Sequence, residues 1–333
     1  MRRFMVWALA VGLVLALAGA GMAAATIRIG VLGKSVHPYW DVVRNGTMDA
    51  ARLFPEVEAT FFVPTTEDIG RQIDVMESWI AQRYNGISVA PSDPKALAPV
   101  IKKALDAGIH VITNDTDAPG TGRLLYLGTG NYNAGLAAGK AMVQLLGGRG
   151  EVAIITGSLT ALNSLERIQG FRDALKGTQI RVVEPVLNDN EDTFKATDLA
   201  TTAILNNPNL RGIFGVYAAS TTGAAEAVRA TGSRDRVVVV GFDTLDSHLQ
   251  ALEDGYLDAV VGQKQYFMGY NSVVLLYLMA KTGRENVLSL LPRTPGGDVF
   301  VDTGVDVVTR ENLREYVQRL DQLGIPHKFV PKR

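Results

Sequence analysis

Short apolar runs alternate with amphipathic stretches along almost the whole chain. Ile27–Leu32, Val57–Val63, Gly86–Ala90 and His110–Asn114 are rich in β-branched residues and bounded by turn residues. That pattern suits strands buried on both faces of a parallel sheet. Between them, Pro38 opens a helix to about Leu53, Thr65-Thr66-Glu67-Asp68 begins one to about Arg83 with capping-box spacing, and another follows Pro91–Pro94 to Ala107. Proline is tolerated at a first helical position because its missing amide has no partner there. Strands and helices alternating at this pace predict βαβ units. The run Val111-Ile112-Thr113-Asn114 then breaks into Asp115-Thr116-Asp117 before Pro119-Gly120. Ligands of open α/β sheets gather beyond the carboxyl ends of strands, so Asp115 and Asp117 are candidate site residues, with turn or capping duty as the alternative for each.

After one more strand, Leu124–Gly128, the programme restarts at Glu151. Glu151–Gly157 answers Ile27–Gly33, Gly212–Val216 answers Gly86–Ala90, and Val239–Asp243 answers Ile112–Asp115; Val152 lies 125 residues after Ile27, Gly212 126 after Gly86 and Asp243 128 after Asp115. The near-constant offset predicts two similarly wound lobes. Ala259–Gln263 reads as a strand crossing back between them. Beyond it come an apolar helix, Tyr266–Lys281, a turn-rich link, Pro292–Gly297, a final strand, Asp302–Val308, and a helix from Glu311 to Leu323.

The first 25 residues stand apart. Arg2 and Arg3 precede an uncharged apolar run from Phe4 to about Gly19, then small residues to Ala25. This reads as a secretory signal, with the mature chain beginning near Ala24 to Thr26, since the run falls short of the roughly 20 residues of a membrane span. The chain has no cysteine, which excludes disulfides, thiolate metal sites, a cysteine nucleophile and a lipid-anchored cysteine. An exported, unanchored chain fits a periplasm. The formal charge of −1 and the lack of a long basic run argue against nucleic acid or an anionic membrane as partner.

Paired carboxylates invite a glycosidase reading, but nothing else supports one. The four histidines, His37, His110, His248 and His327, show no metal spacing; Gly128-Thr129-Gly130-Asn131-Tyr132-Asn133 lacks the third glycine of a dinucleotide fingerprint; no Walker A motif or Gly-x-Ser-x-Gly elbow occurs. The expectation is no enzyme, no metal and no cofactor. A binding site uses the same residues better. Neutral sugars offer hydroxyls to Asp, Asn and Gln, and C–H faces to aromatic rings. Strand ends here supply Tyr39 and Trp40, Asp115 and Asp117, Tyr217, Phe242 and Asp243, and Gln263. Several carboxylates in one pocket repel phosphate, so a neutral polyol is favoured, with Lys34 either pairing an aspartate or lying in solvent.

Gly33–Trp40, Val89–Asp93, Val111–Asp115, Val240–Asp243 and Gly262-Gln263 resemble the ribose-binding type of periplasmic sugar-binding protein. The strings Gly33–Trp40, Thr156–Ala161 and Asp302–Val308 are similar, more narrowly, to thermophile glucose-binding proteins of that family. The resemblance covers essentially everything after the signal. It implies the type I periplasmic binding protein fold: an α/β chain with two doubly wound parallel-sheet lobes joined by a three-strand hinge, closing on a sugar. The first lobe would hold residues 26–129 and about 264–298, the second 130–263 and about 299–333. By the same likeness Tyr39 and Trp40 stand where aromatics stack on sugar, and Asp115, Asp243 and Gln263 stand where hydroxyls are held; His37 replaces a common asparagine. Tyr217 replaces an asparagine and Leu165 an arginine of ribose binders, leaving Asn163 as a nearby substitute, Arg167 as a structural arginine of its helix and Asp117 as a further contact. The resemblance implies a monomeric receptor for a neutral monosaccharide, glucose before xylose or another aldose, which delivers it to an ABC permease. A transcriptional regulator would begin with a helix-turn-helix instead.

Overall fold

In a computed structural model, which describes residues 26–332, the chain builds two six-stranded sheets. The signal segment expected at 1–25 lies outside the described residues.

The first half runs β1 (Ile27–Leu32), α1 (Pro38–Ala51), β2 (Val57–Phe62), α2 (Ile69–Ala81), β3 (Gly86–Val89), α3 (Pro94–Asp106), β4 (His110–Asn114) and β5 (Tyr126–Gly128). The second runs α4 (Asn131–Leu146), β6 (Arg149–Thr156), α5 (Leu162–Ala174), β7 (Gln179–Asn188), α6 (Thr193–Asn206), β8 (Leu210–Gly215), α7 (Ala218–Thr231), β9 (Val238–Phe242), α8 (Asp246–Asp254) and β10 (Ala259–Gly262). The remainder is α9 (Gln265–Thr282), α10 (Arg284–Ser289), β11 (Phe300–Asp302), β12 (Asp306–Thr309) and α11 (Leu313–Gln322).

The repeat expected from the residue offsets is present in the topology. One sheet has the order β11-β5-β4-β3-β1-β2 and the other β12-β10-β9-β8-β6-β7, so each strand of the first has a counterpart in the second. The winding differs only at the edge, where β11 runs parallel to β5 and β12 antiparallel to β10. Helix starts follow local chemistry: Asp68 rather than Thr65 caps α2, accepting the Arg71 amide at 2.9 Å, and Asp93 caps α3.

The chain passes between lobes three times: at 129–130, at 263–264 and at 303–305. The third passage corrects the sequence reading. Asp302–Val308 is not one strand but two in different sheets, broken at Gly304, whose φ of +70° only glycine adopts without strain. Strand β11 therefore stays with the first lobe, and the passage falls after Asp302 rather than near 298. The three passages are tied together: Thr129 Oγ1 donates to Gln263 Oε1 at 3.0 Å, the Gly130 amide donates to Asp302, and Lys264 pairs with Asp306.

Helices α1 and α9 approach backbone to backbone at two glycines. A methyl group at Gly46 would collide with the Tyr266 carbonyl, and one at Gly269 with that of Val43. Gly269→Ala should cost about 2 kcal/mol, since the backbones must separate; a denaturant melt with an unchanged midpoint would contradict this packing.

Candidate functional site

The ends of β4 and β9 are built alike. Asp115 follows β4 and Asp243 follows β9, both in the left-handed region at φ 58° and 74°. Their amides donate to the next strand, Asp115 to Leu127 O at 3.2 Å and Asp243 to Val261 O at 2.9 Å. A left-handed aspartate costs on the order of 1 kcal/mol, a strain that structures keep where a side chain must be aimed. Here both line one polar cavity between the lobes.

The first lobe brings Lys34, His37, Tyr39, Trp40 and Asp115 to this cavity, and the second brings Asn163, Arg167, Glu191, Tyr217 and Asp243, with Gln263 on the second passage. Asp115 is the hub, only 3% exposed. Its Oδ1 accepts the Tyr39 hydroxyl at 2.6 Å, and its Oδ2 accepts Thr116 Oγ1 at 2.9 Å and Asn163 Nδ2 at 3.2 Å. Lys34 Nζ lies 3.5 Å from Oδ2 and also reaches Asn163 Oδ1 and Tyr217 Oη, at 3.3 and 3.4 Å. Of the two readings of Lys34, pairing is the one observed. The lobes thus meet through a network that includes both halves of the chain.

On the other jaw Asp243 Oδ1 accepts Gln263 Nε2 at 2.9 Å and Gln265 Nε2 at 3.3 Å. Both of these hydrogen bonds fall on Oδ1. Burial pushes the Asp243 carboxyl up to about 6, against the pull of Arg167 and the Gln263 hydrogen bond, so it is mainly ionised at neutral pH. His248 Nδ1 lies 2.8 Å from the Asp243 carbonyl and Nε2 lies 2.8 Å from Thr222 Oγ1. With the ring held neutral by burial, Nδ1 donates and the aspartate backbone is fixed from behind.

His37 caps α1. Its Nδ1 accepts the Tyr39 amide at 3.3 Å, and burial lowers its pKa to about 4, so the neutral ring carries its proton on Nε2. Trp40 and Tyr39 meet edge to face at 5.0 Å, within the apolar cluster of the first lobe that also takes in Ala218 and Leu245 of the second. They line the cavity and pack the core at once.

Two sequence candidates stand elsewhere. Asp117 does not line the cavity: Arg123 Nε and Nη2 hold its two oxygens at 2.7 and 2.6 Å, and Thr113 Oγ1 donates at 2.7 Å. With the Ala118 amide also donating at 2.7 Å, Oδ1 accepts three hydrogen bonds and Oδ2 one, so the carboxylate is engaged within its own loop. Phe242 is fully buried, its ring under the Arg167 guanidinium at 4.1 Å and beside Phe214 at 6.1 Å. It shapes the site from inside the core. Asp117→Asn should lower stability by about 1 to 2 kcal/mol and change ligand affinity less than about twofold; a large affinity loss at unchanged stability would return Asp117 to the site.

Two polar lining residues were not candidates. Arg167, read as structural, is 1% exposed and is both: Nε donates to Asn131 Oδ1 at 2.9 Å, Nη1 to Val216 O at 3.0 Å and Nη2 to Gln263 Oε1 at 2.6 Å. It locks the Gln263 amide so that Nε2 points at Asp243. Glu191 comes from the loop after β7 and meets Ser35 of the first lobe. Among the described residues no cluster of histidine, aspartate and glutamate has the geometry to hold a metal ion, and no helix is long and apolar enough to cross a membrane.

Two wound lobes, three passages between them and a polar cavity at their junction define a solute-binding protein of the cleft-closing kind. A periplasmic binding protein domain model matches residues 29–285, and the chain belongs to that family. It is 31% identical over 277 residues to a D-ribose/D-allose-binding protein of Pseudomonas aeruginosa, spanning 78% of this chain and 83% of the relative. Among solved structures it is similar to an ABC transporter solute-binding protein from Burkholderia graminis in complex with D-arabinose, with a TM-score of 0.80 and 33% identity over 88% of this chain and 98% of that one. A glucose-galactose binding protein from Geobacillus stearothermophilus matches with a TM-score of 0.77 and 29% identity over 86% and 99%. The chain is a binding protein and not an enzyme.

Proposed function

We propose that this chain is a periplasmic receptor for one neutral aldose, glucose, which it encloses between its lobes and presents to an ABC importer. The observation that carries the reading is the charge pattern of the cavity. Asp115 and Asp243 face it from opposite lobes, while the two cations, Lys34 and Arg167, are spent on Asp115 and on Gln263. With Glu191 on the lining as a third carboxyl group against those two cations, a pocket rich in fixed acceptors suits hydroxyl groups and disfavours phosphate or carboxylate ligands. His37 Nε2 and Tyr217 add a donor and a ring face. The similar proteins are named for ribose and allose, arabinose, or glucose and galactose, all neutral monosaccharides, which supports the class of ligand. Xylose, which lacks the hydroxymethyl arm of glucose, is the second reading, since a similar protein is named for xylose and arabinose.

Export through the segment at 1–25, release without a lipid anchor and action as a monomer complete the proposal. Calorimetric titration with glucose, xylose, galactose, ribose and inositol tests it. Stoichiometric binding of glucose in the micromolar range, about 8 kcal/mol, is expected. Absence of heat with every sugar at millimolar concentration would overturn it.

A further inference from the structure

The loop after β7 holds two consecutive non-glycine residues in the left-handed region, Asn190 at φ 57° and Glu191 at φ 58°. Strain of this kind persists only where contacts hold it. Asp189 supplies them, accepting the Glu191 amide at 2.8 Å and the Ser220 hydroxyl at 2.5 Å. The turn aims Glu191 across the cleft. Its carboxyl group is hydrogen-bonded to the Ser35 hydroxyl of the other lobe, and its stem lies against Gly157 beside the Tyr217 ring.

The charges around it are unbalanced. From the first lobe it faces Lys34, Glu67 and Asp115. Lys34 is already paired with Asp115, so one ammonium serves three carboxyl groups. Bringing the lobes together takes the Glu191 carboxylate out of water and towards two like charges, and both effects disfavour its ionised form. Thr160 Oγ1, which donates to Ser92 O at 3.2 Å, closes the cleft near Glu67 and adds no charge.

We propose that Glu191 is a proton-carrying latch: closure of the cleft takes up one proton on Glu191, and the neutral carboxyl group fastens the second lobe to Ser35 of the first. The inference rests on the sugar-receptor reading for its ligand but not for its mechanism. In the closed form burial pushes Glu191 up to about 7, with Glu67 and Asp115 adding and Lys34 and Ser35 opposing. Because the closed-state value lies above the ordinary one of 4.5, closure is favoured in acid. The advantage is full below about 4.5 and is lost as pH rises through about 7. Other groups at the cleft move less or elsewhere: Asp243 rises to about 6, Glu67 is raised by burial, and His37, lowered to about 4, stays neutral. Asp189 rises to about 7, but its partners, Ser220 and the Glu191 amide, belong to its own lobe, as do the nearby charges of Asp192 and Lys195.

The test is calorimetry of glucose binding to the chain in buffers of different ionisation enthalpy. Affinity should fall roughly twentyfold from pH 6 to pH 8, about tenfold of it from Glu191, with close to one proton taken up by Glu191 and about half a proton by Asp243 per sugar at pH 6. Glu191→Gln should leave only the half proton of Asp243 and flatten the profile to about twofold. Ser35→Ala, which keeps the carboxyl group, should weaken binding several-fold yet retain the uptake, and it serves if the glutamine variant does not fold. Absence of uptake in the unmodified chain, or equal uptake in Glu191→Gln, would overturn the latch. Small-angle scattering of the sugar-free chain separates this from the ligand reading. The radius of gyration should be smaller at pH 5.5 than at pH 8.5 in the unmodified chain and equal in Glu191→Gln; a pH-independent radius in the unmodified chain would refute the latch even if glucose proved to be the wrong sugar.

Discussion

Replacing Asp115 with alanine is expected to lower sugar affinity at least a hundredfold, about 3 kcal/mol. Two losses combine. The sugar loses an acceptor fixed by the Tyr39 hydroxyl, Thr116 and Asn163, and Lys34, 1% exposed, loses the carboxylate at 3.5 Å that balances it. A buried ammonium without its partner costs more than a missing hydrogen bond, which is why this substitution should exceed Asp243→Ala, expected at about 2 kcal/mol from unpaired sugar hydroxyls alone. The double change Lys34→Met with Asp115→Ala should recover part of the loss, because it removes the stranded charge. Titration calorimetry with circular dichroism to verify the fold checks both; equal losses for Asp115→Ala and Asp243→Ala would show that Lys34 is not held by Asp115.

The largest effect on stability is expected at Arg167. Its three nitrogens satisfy Asn131, Val216 and Gln263, and its plane covers the Phe242 ring at 4.1 Å. Alanine there strands three buried acceptors and opens a cavity, a loss of about 3 to 5 kcal/mol in the denaturant midpoint analysis. Lysine should rescue little, since one ammonium cannot serve three directions in a plane. A loss below about 1 kcal/mol for Arg167→Ala would mean that water replaces the guanidinium without strain.

Most of the fold was legible because the strands of a parallel sheet are continuous apolar runs. Strands β1, β3, β4, β8 and β9 fall where those runs predict, and the residue offset between them survives as matched strand orders. The edges were not. Strand β7 alternates irregularly between exposed and half-buried positions, so no apolar run announced it, and Glu191, delivered by the loop at its end, had no element to place it. The tail misled for the opposite reason: Asp302–Val308 is apolar enough for one strand, and only the left-handed Gly304 divides it between two sheets.

At the site, their shared place beyond the carboxyl end of β4 made Asp115 and Asp117 candidates together. The chain turns at the left-handed Asp115, and Asp117 pairs with Arg123 six positions on in the same loop. Arg123 was the available signal, as a cation close enough in sequence to claim one of the two carboxylates. Phe242 failed by the same geometry, since it precedes the turn at Asp243 and stays on the buried side of β9. Asp115, Asp243 and Gln263 were readable because each ends a strand that points at the junction of the lobes.

The central claim is that two carboxylates from opposite lobes hold one neutral sugar. A crystal structure of the glucose complex tests it most directly. A single sugar is expected in the cavity between Tyr39, Trp40 and Tyr217, with hydroxyls in hydrogen-bond reach of both Asp115 and Asp243 and none on Asp117. A sugar bound by one lobe alone, or seated away from either carboxylate, would contradict it.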